Sequence, residues 1–266
     1  MTMPARAIWK GSLVLSAESV PVKLYAAIED RTLHFHVLEK STMTRIKQHM
    51  VNPETGDEIP REQVQHGYET EKGVYVLLTG EEIASLQPQE SRNIEITRFV
   101  PASRISQQWY DRPYYLGPDE GSATSYFALA GALEHENREG IGHWVMRNQR
   151  YVGALRSEAG YLMLITMKFA EEVLTADELP RPNGRAPEPK ELRMAEQLVS
   201  ALADEFRPED YRDEYRERVM KFVEAKAHGE KPRLKVVARR KKPKSLVASL
   251  AASLNIARRA KEKRVA

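Results

Sequence analysis

The residues from which a metal centre or a nucleophile could be built are few. The chain has seven histidines and no cysteine, which removes disulfides, thiolate zinc sites and cysteine nucleophiles and is typical of a reducing compartment. His135 precedes a glutamate, but the zinc-protease pattern HExxH needs a second histidine at position 139, which is Glu139. His34 and His36 share one face of a predicted strand, and two such residues without a third ligand nearby indicate a polar strand face rather than a metal site.

Motifs that bind nucleotides or activate a serine are also absent. The sequence contains no GxxxxGK followed by serine or threonine, no GxGxxG after a strand and no GxSxG. The adjacent glutamates at 81–82 and 171–172 occur in helix-like surroundings and indicate solvated surface. We therefore expect a binding protein that is not an enzyme and has neither cofactor nor metal.

The charge is unevenly divided along the chain. Residues 230–266 hold 13 basic residues against two acidic ones, a net charge of +11, whereas residues 1–229 hold 28 basic and 36 acidic residues, a net charge of −8. A basic tail on an acidic body predicts contact with a polyanion, most often nucleic acid, and the alternative is a solubilising extension that binds nothing. The tail cations assigned to nucleic acid are Arg239, Arg240, Lys241, Lys242 and Lys244.

A second basic group lies early in the chain, on a predicted hairpin. Its members are Lys40, Arg45, Lys47, His49 and Arg61. Neutralising phosphates requires positive side chains within reach and no fixed motif. This pattern is compatible with DNA binding and equally with an ordinary solvated hairpin.

The elements that must position these residues begin as short strands. Apolar runs or alternation predict strands near residues 7–15, 20–25, 33–37, 45–51, 74–78 and 94–100. The turn-rich stretch 52–57 follows one of them, and residues 79–82 open a capped helix. The basic group therefore belongs to a hairpin or protruding loop within the strand-rich first third.

The middle of the chain mixes a helix with further strands. Residues 122–139 are predicted as a helix that begins at Ser122 and presents Phe127, Ala130 and Leu133 to the core. Strands follow near 141–146, 151–155 and 161–167. Many short strands with few long helices favour a β-rich α+β fold built on a barrel or a sandwich.

The amino-acid composition changes at residues 180–189. This stretch contains four prolines, which predict an exposed linker. Two amphipathic helices are predicted beyond it, at 190–206 and 209–227, and a helix-like run covers 245–264. We predict three parts: a core of 1–179, a linker and helical arm of 180–229, and a basic tail of 230–266.

The composition indicates in which cellular compartment the protein is expected. Of the 266 residues, 41% are apolar and 30% charged, and no run approaches the roughly 18 apolar residues of a membrane span. The first residues lack the apolar stretch of a signal peptide. We expect a cytoplasmic protein with no membrane contact.

Six segments of the chain, in order, resemble the prokaryotic Ku family, the DNA-end-binding proteins of bacterial non-homologous end joining. They are RAIWKGS at 6–12, VPVKLY at 20–25, GYE and KGVYV within 67–76, SRNIEI at 91–96, YDRPYYLGPD at 110–119 and YRDEYRER at 211–218. The resemblance thus covers about residues 5–228.

The resemblance implies a β-barrel core whose hairpin bridge and helical C-terminal arm build a ring-shaped homodimer around duplex DNA. It implies that the hairpin of residues 45–61 belongs to the bridge, with Arg45, Lys47 and His49 facing phosphates, and that residues 190–227 clasp the second subunit. It also implies a nucleoid-associated protein that protects and bridges double-stranded DNA ends without sequence specificity. The region after the core would recruit DNA ligase D.

The chain departs from the family pattern at three places. Many relatives have a cysteine pair within the stretch 50–58, which here contains none and so excludes a zinc role. Residues 16–18 replace a glycine-containing stretch, and Asn93 stands where threonine is commoner. The alternative function is a protein–protein adaptor whose basic tail is incidental.

Overall fold

The computed structural model of the chain describes residues 6–181, 183–229 and 250–256. The chain divides into two compact units, Met1–Leu179 and Pro180–Ala266. The predicted further division at residue 230 stays a prediction. None of the helices within the described ranges is long and apolar enough to cross a membrane.

The first unit contains the strands and two helices. The strands are β1 (Trp9–Leu15), β2 (Glu18–Ala26), β3 (His66–Glu71), β4 (Val74–Leu78), β5 (Asn93–Pro101), β6 (Tyr110–Pro118), β7 (Arg138–Met146), β8 (Gln149–Glu158) and β9 (Tyr161–Met167), and the helices are α1 (Gly80–Ser85) and α2 (Ala123–Glu136). Seven strands form a closed barrel in the order β1-β2-β6-β9-β8-β7-β5. The predicted β-rich α+β fold with a barrel core is therefore confirmed.

The barrel closes where β1 meets β5. This pair is parallel, with Ser12 opposite Asn93 and Val14 opposite Glu95, whereas the other neighbouring strands of the barrel run antiparallel. The Ser12 N–H also donates to the Arg92 carbonyl at 2.8 Å. Closure removes the exposed sheet edges that would otherwise invite pairing with another chain.

The core fills the barrel and extends beneath α2. Fully buried side chains include Leu13, Val22, Leu24, Ile94, Leu116, Trp144, Leu155, Leu162 and Leu164. From α2, Tyr126, Ala130 and Leu133 complete the same cluster. The prediction that Phe127 faces the core was wrong. Phe127 is 58% exposed, because the neighbouring Tyr126 takes the buried position.

Ser122 precedes α2 as predicted, but its hydroxyl does not cap the helix. Its single O–H instead lies within donating distance of the carbonyl oxygens of Pro21 and Asp119, at 2.7 and 2.8 Å. The residue therefore ties the start of α2 to the barrel strands.

Residues 27–92, here called the insert, leave the barrel after β2 and return at β5. The structure describes all of them, and none is buried. They contain α1, which begins with the predicted capping box between Thr79 and Glu82, and a separate two-stranded sheet of β3 and β4. The predicted strands at 33–37 and 45–51 were wrong. Among the described residues, the pairing at or beside these stretches is limited to the isolated bridges Leu38–Arg45 and Val51–Glu58. The alternation that predicted these strands corresponds to no buried face, because none of these residues is buried.

The described part of the second unit contains helices joined by irregular stretches. Its helices are α3 (Pro189–Leu202) and α4 (Glu214–Ala227), and residues 250–256 are helical as well. Both α3 and α4 are shorter than predicted, and Pro208, which cannot continue a helix, lies in the stretch between them. Arg185 forms two hydrogen bonds of 2.9 and 2.6 Å to the Glu191 carboxylate, which fixes the linker against the first turn of α3.

Removing the Tyr126 hydroxyl is expected to destabilise the barrel. The hydroxyl donates to the Leu116 carbonyl at 2.6 Å and accepts the Leu162 N–H at 2.9 Å, within the core. Tyr126→Phe leaves both backbone groups without that partner, so we expect a loss of about 1–3 kcal/mol in the free energy of unfolding, measured by urea denaturation. The control is Tyr161→Phe, since Tyr161 is 59% exposed and should change by less than about 0.5 kcal/mol. Equal effects of the two substitutions would contradict this role.

Asp119 joins three strands through charge. Its carboxylate lies 2.7 Å from Lys23 Nζ and 3.6 Å from Lys10 Nζ, and the Lys23 hydrogen bond, helped by the Glu120 N–H, lowers the pKa of Asp119 below 3.8. The lowered pKa means that this contribution to stability is present above pH 3.8 and is lost as the pH falls through the folded-state pKa. Asp119→Asn should therefore lower the urea midpoint at pH 7 and have little effect well below pH 3.8. An equal loss at both pH values would show that packing, not charge, is responsible.

Candidate nucleic-acid interface

The insert carries the predicted cations on two irregular hairpins. In the first, the Glu39 N–H donates to the Thr44 carbonyl at 2.9 Å and the Met43 N–H donates to the Glu39 carbonyl at 2.8 Å. Met43 adopts a left-handed backbone conformation, with φ of 57°, which lets the chain reverse within this short turn. The turn is thus fixed by its own backbone rather than by burial.

Lys40, Arg45 and Lys47 are exposed on this first hairpin, and Arg61 is exposed after the second one. Within the described ranges, none of these four side chains forms an ion pair or hydrogen bond. A phosphate can therefore neutralise them without first breaking an internal ion pair. This freedom is the property that a sequence-independent phosphate contact needs.

His49, the fifth residue of the predicted basic group, lies on the second hairpin and differs from the other four in having a partner. The Asn52 N–H donates to the Asp57 carbonyl at 2.9 Å, and Gly56, with φ of 77°, completes the turn. His49 lies against the carboxylate of Glu58 across the hairpin. His49 therefore already has an anionic partner, and its predicted contact with a phosphate stays a prediction.

Charge changes sign along the insert. Residues 27–49 contain four basic and three acidic residues (Arg31, Lys40, Arg45 and Lys47 against Glu29, Asp30 and Glu39), whereas residues 50–71 contain one basic and six acidic residues (Arg61 against Glu54, Asp57, Glu58, Glu62, Glu69 and Glu71). Because negatively charged side chains repel phosphates, the first hairpin is better suited to a nucleic acid than the stretch 50–71. Strand β3 lies in that acidic stretch.

The predicted basic group of the tail, Arg239, Arg240, Lys241, Lys242 and Lys244, lies outside the described residues. Its contact with nucleic acid therefore stays a prediction. In the part of the chain that the structure describes, no group of three or more His, Asp or Glu residues has the arrangement of a metal site.

The barrel surface has a second basic feature that sequence reasoning missed. A groove of about 540 Å³ is lined by Val100, Ile105, Trp109, Ile141, Val152 and Met167, with Arg98 and Arg104 among its polar residues. Neither arginine has an ion pair or hydrogen bond among the described residues. Periodicity could not find Arg98, since the pairing of β5 with β7 is irregular between Ile96 and Arg98.

Alternation along β7 determines which of its side chains face the groove and which face the core. Gly142 and Trp144 are buried, so His143 between them faces away from the core. His143 Nε2 lies 3.0 Å from the Glu95 carboxylate on β5. The groove therefore combines apolar side chains with two free guanidinium groups and one partnered imidazole.

Comparison with known proteins finds one family over most of the barrel unit. The family described as "Ku70/Ku80 beta-barrel domain" matches residues 15–194. The chain is 36% identical over 228 residues to the non-homologous end joining protein Ku of Coxiella burnetii, covering 84% of this chain and 83% of that protein. It is 37% identical over 227 residues to the protein of that name from an Anaeromyxobacter species, covering 85% of this chain and 77% of that protein.

A similar archaeal protein extends the match. The non-homologous end joining protein Ku of Archaeoglobus fulgidus is 33% identical over 250 residues, which is 94% of this chain and 98% of that protein. The similarity thus continues beyond the barrel into the second unit.

Reversing two charges on the first hairpin tests whether it binds phosphates. Arg45→Glu with Lys47→Glu should weaken binding to a short linear duplex and reduce the slope of log K against log salt by about 0.9 for each phosphate that is no longer neutralised. The matched control is Lys72→Glu, which also reverses an exposed charge but lies in the turn between β3 and β4. Fluorescence anisotropy at several salt concentrations measures both quantities. An unchanged slope in the double variant would show that the first hairpin is not part of the DNA interface.

Proposed function

Because this chain belongs to the Ku family, we propose that it acts in non-homologous end joining by binding the ends of double-stranded DNA without reading their sequence. The observation that carries the proposal is the set of unpaired cations at Lys40, Arg45, Lys47 and Arg61, exposed on turns whose backbone bonds fix them. Phosphate contacts position a protein on a duplex and carry no sequence information directly. The protein therefore binds any end with similar affinity.

We propose further that the functional form is a homodimer that encircles the duplex. In support, the insert exposes many apolar side chains, among them Phe35 at 69%, Val37 at 70% and Tyr68 at 68% exposed. Patches of this kind mark association surfaces in soluble proteins. A closed ring accepts DNA only at a free end, which gives end selectivity without contacts to bases.

The remaining roles follow from the same family membership as proposals. The protein is not an enzyme, since the sequence lacks nucleotide-binding and nucleophile motifs. It protects and bridges the ends, and the region that follows the barrel recruits DNA ligase D. The basic tail of 230–266 adds affinity for DNA, and the protein works in the cytoplasm at the nucleoid.

Comparing linear with covalently closed circular duplex of equal length and sequence tests the proposal. We expect strong, salt-sensitive binding to the linear form and weak binding to the circle, because a ring cannot be threaded onto a closed molecule. Gel-shift titrations at two salt concentrations measure both affinities. Equal affinity for the two forms would overturn end binding and would favour an adaptor that associates with DNA through its tail.

A further inference from the structure

Among the described residues, the sheet formed by β3 and β4 has no third strand, and none of its own residues is buried. All residues of β3 are exposed, and in β4 four of the five are, with Val74 at 53%, Tyr75 at 59%, Val76 at 50% and Leu77 at 63%. An isolated two-stranded hairpin is marginally stable at best in water. The free edges and exposed apolar side chains of this sheet therefore call for a partner.

The two free edges differ in charge. β3 carries Glu69 and Glu71 and follows Glu62 in the chain, so two β3 edges brought together would place like charges in contact, which is unfavourable. The five residues of β4, VYVLL, include no charge, no proline and no glycine. An uncharged edge without proline is the kind that pairs readily with another strand.

The geometry points to pairing of β4 with β4 of a second copy of this chain, and we propose this pairing as part of the dimer contact. The inference rests on the proposed function in one respect, namely that the protein is a homodimer. Because the strands are identical, a twofold axis relates them and they run antiparallel. With the axis at the central residue, Val76 faces Val76 of the second copy and Val74 faces Leu78.

The same pairing joins apolar side chains across the new sheet. Val76 lies opposite Tyr68 within one hairpin, and residues directly opposite share a face of the sheet. A four-stranded sheet therefore aligns Tyr68, Val76 and their two symmetry mates on one face. The acidic β3 strands become the outer edges, where charge discourages further pairing.

The absence of cysteine from the chain allows the register to be tested with single substitutions. Val76→Cys should give a covalent dimer with a short bis-thiol cross-linker on a denaturing gel, since directly opposite Cβ atoms lie about 4.5–5.5 Å apart. Val74→Cys and Leu78→Cys alone should remain monomeric on that gel. Each position lies two residues from the axis, so the same position of the second copy is four residues away along the strand, about 14 Å. The double variant Val74→Cys with Leu78→Cys should regain the cross-link, since the cysteine at position 74 of one copy then faces the cysteine at position 78 of the other.

Glu69→Cys on β3 is the matched control and should not cross-link. Far-UV circular dichroism of every variant checks that it is folded, and light scattering of the parent protein gives its oligomeric state. A dimer that binds linear DNA selectively but cross-links at Glu69→Cys, or at no β4 position, would overturn the pairing and leave the proposed function standing. A monomer that binds linear and circular DNA equally would overturn the proposed function and the pairing together.

Discussion

The structure depends on the closure of the barrel through the parallel pairing of β1 with β5. That pairing brings the backbone at Arg92 so close to β1 that a Cβ on Gly11 would lie 2.3 Å from the Arg92 carbonyl oxygen. Only glycine fits such an approach. Since β1 also pairs with β2, both ends of the insert lie beside the same strand. A segment without a buried residue is thereby attached at two points to a core that is fully packed.

The insert contrasts with the barrel in how its conformation is maintained. The barrel gains stability from apolar burial, which contributes roughly 25 cal/mol per Å² removed from water. The insert is maintained by backbone hydrogen bonds in its turns, by the capping box of α1, by the sheet of β3 and β4, and by surface contacts such as those of His49 with Glu58 and of Gln87 with Asn148. A segment without buried residues opens at lower free energy than the core. Under the proposed function, the molecules that it would contact are DNA at the first hairpin and a second copy at β4.

How much of the fold was predictable follows the same division. The barrel strands near 141–146, 151–155 and 161–167 were predicted from periodicity, because burial imposes the pattern that the sequence displays. In the insert, the helix that begins after Thr79 was predicted from its capping box, a local signal that needs no burial. In the insert the same alternation predicted strands at 33–37 and 45–51 that do not form. Alternation reports a half-buried face, and no residue of the insert is buried. Under the proposed function, the exposed side chains there contact other molecules, which one chain does not contain.

The candidate site was partly predictable for an electrostatic reason. The cations at Lys40, Arg45 and Lys47 could be named from type alone. That they have no ionic partner among the described residues, and that His49 has one in Glu58, is seen only in the structure. Arg98 and Arg104 could not be named because an irregular register and the fold, not spacing, bring them to one groove. Residues 1–229 carry a net charge of −8, which repels a polyanion. Under the proposed function, the duplex is held through its phosphates at exposed cations, and such contacts carry no sequence information directly.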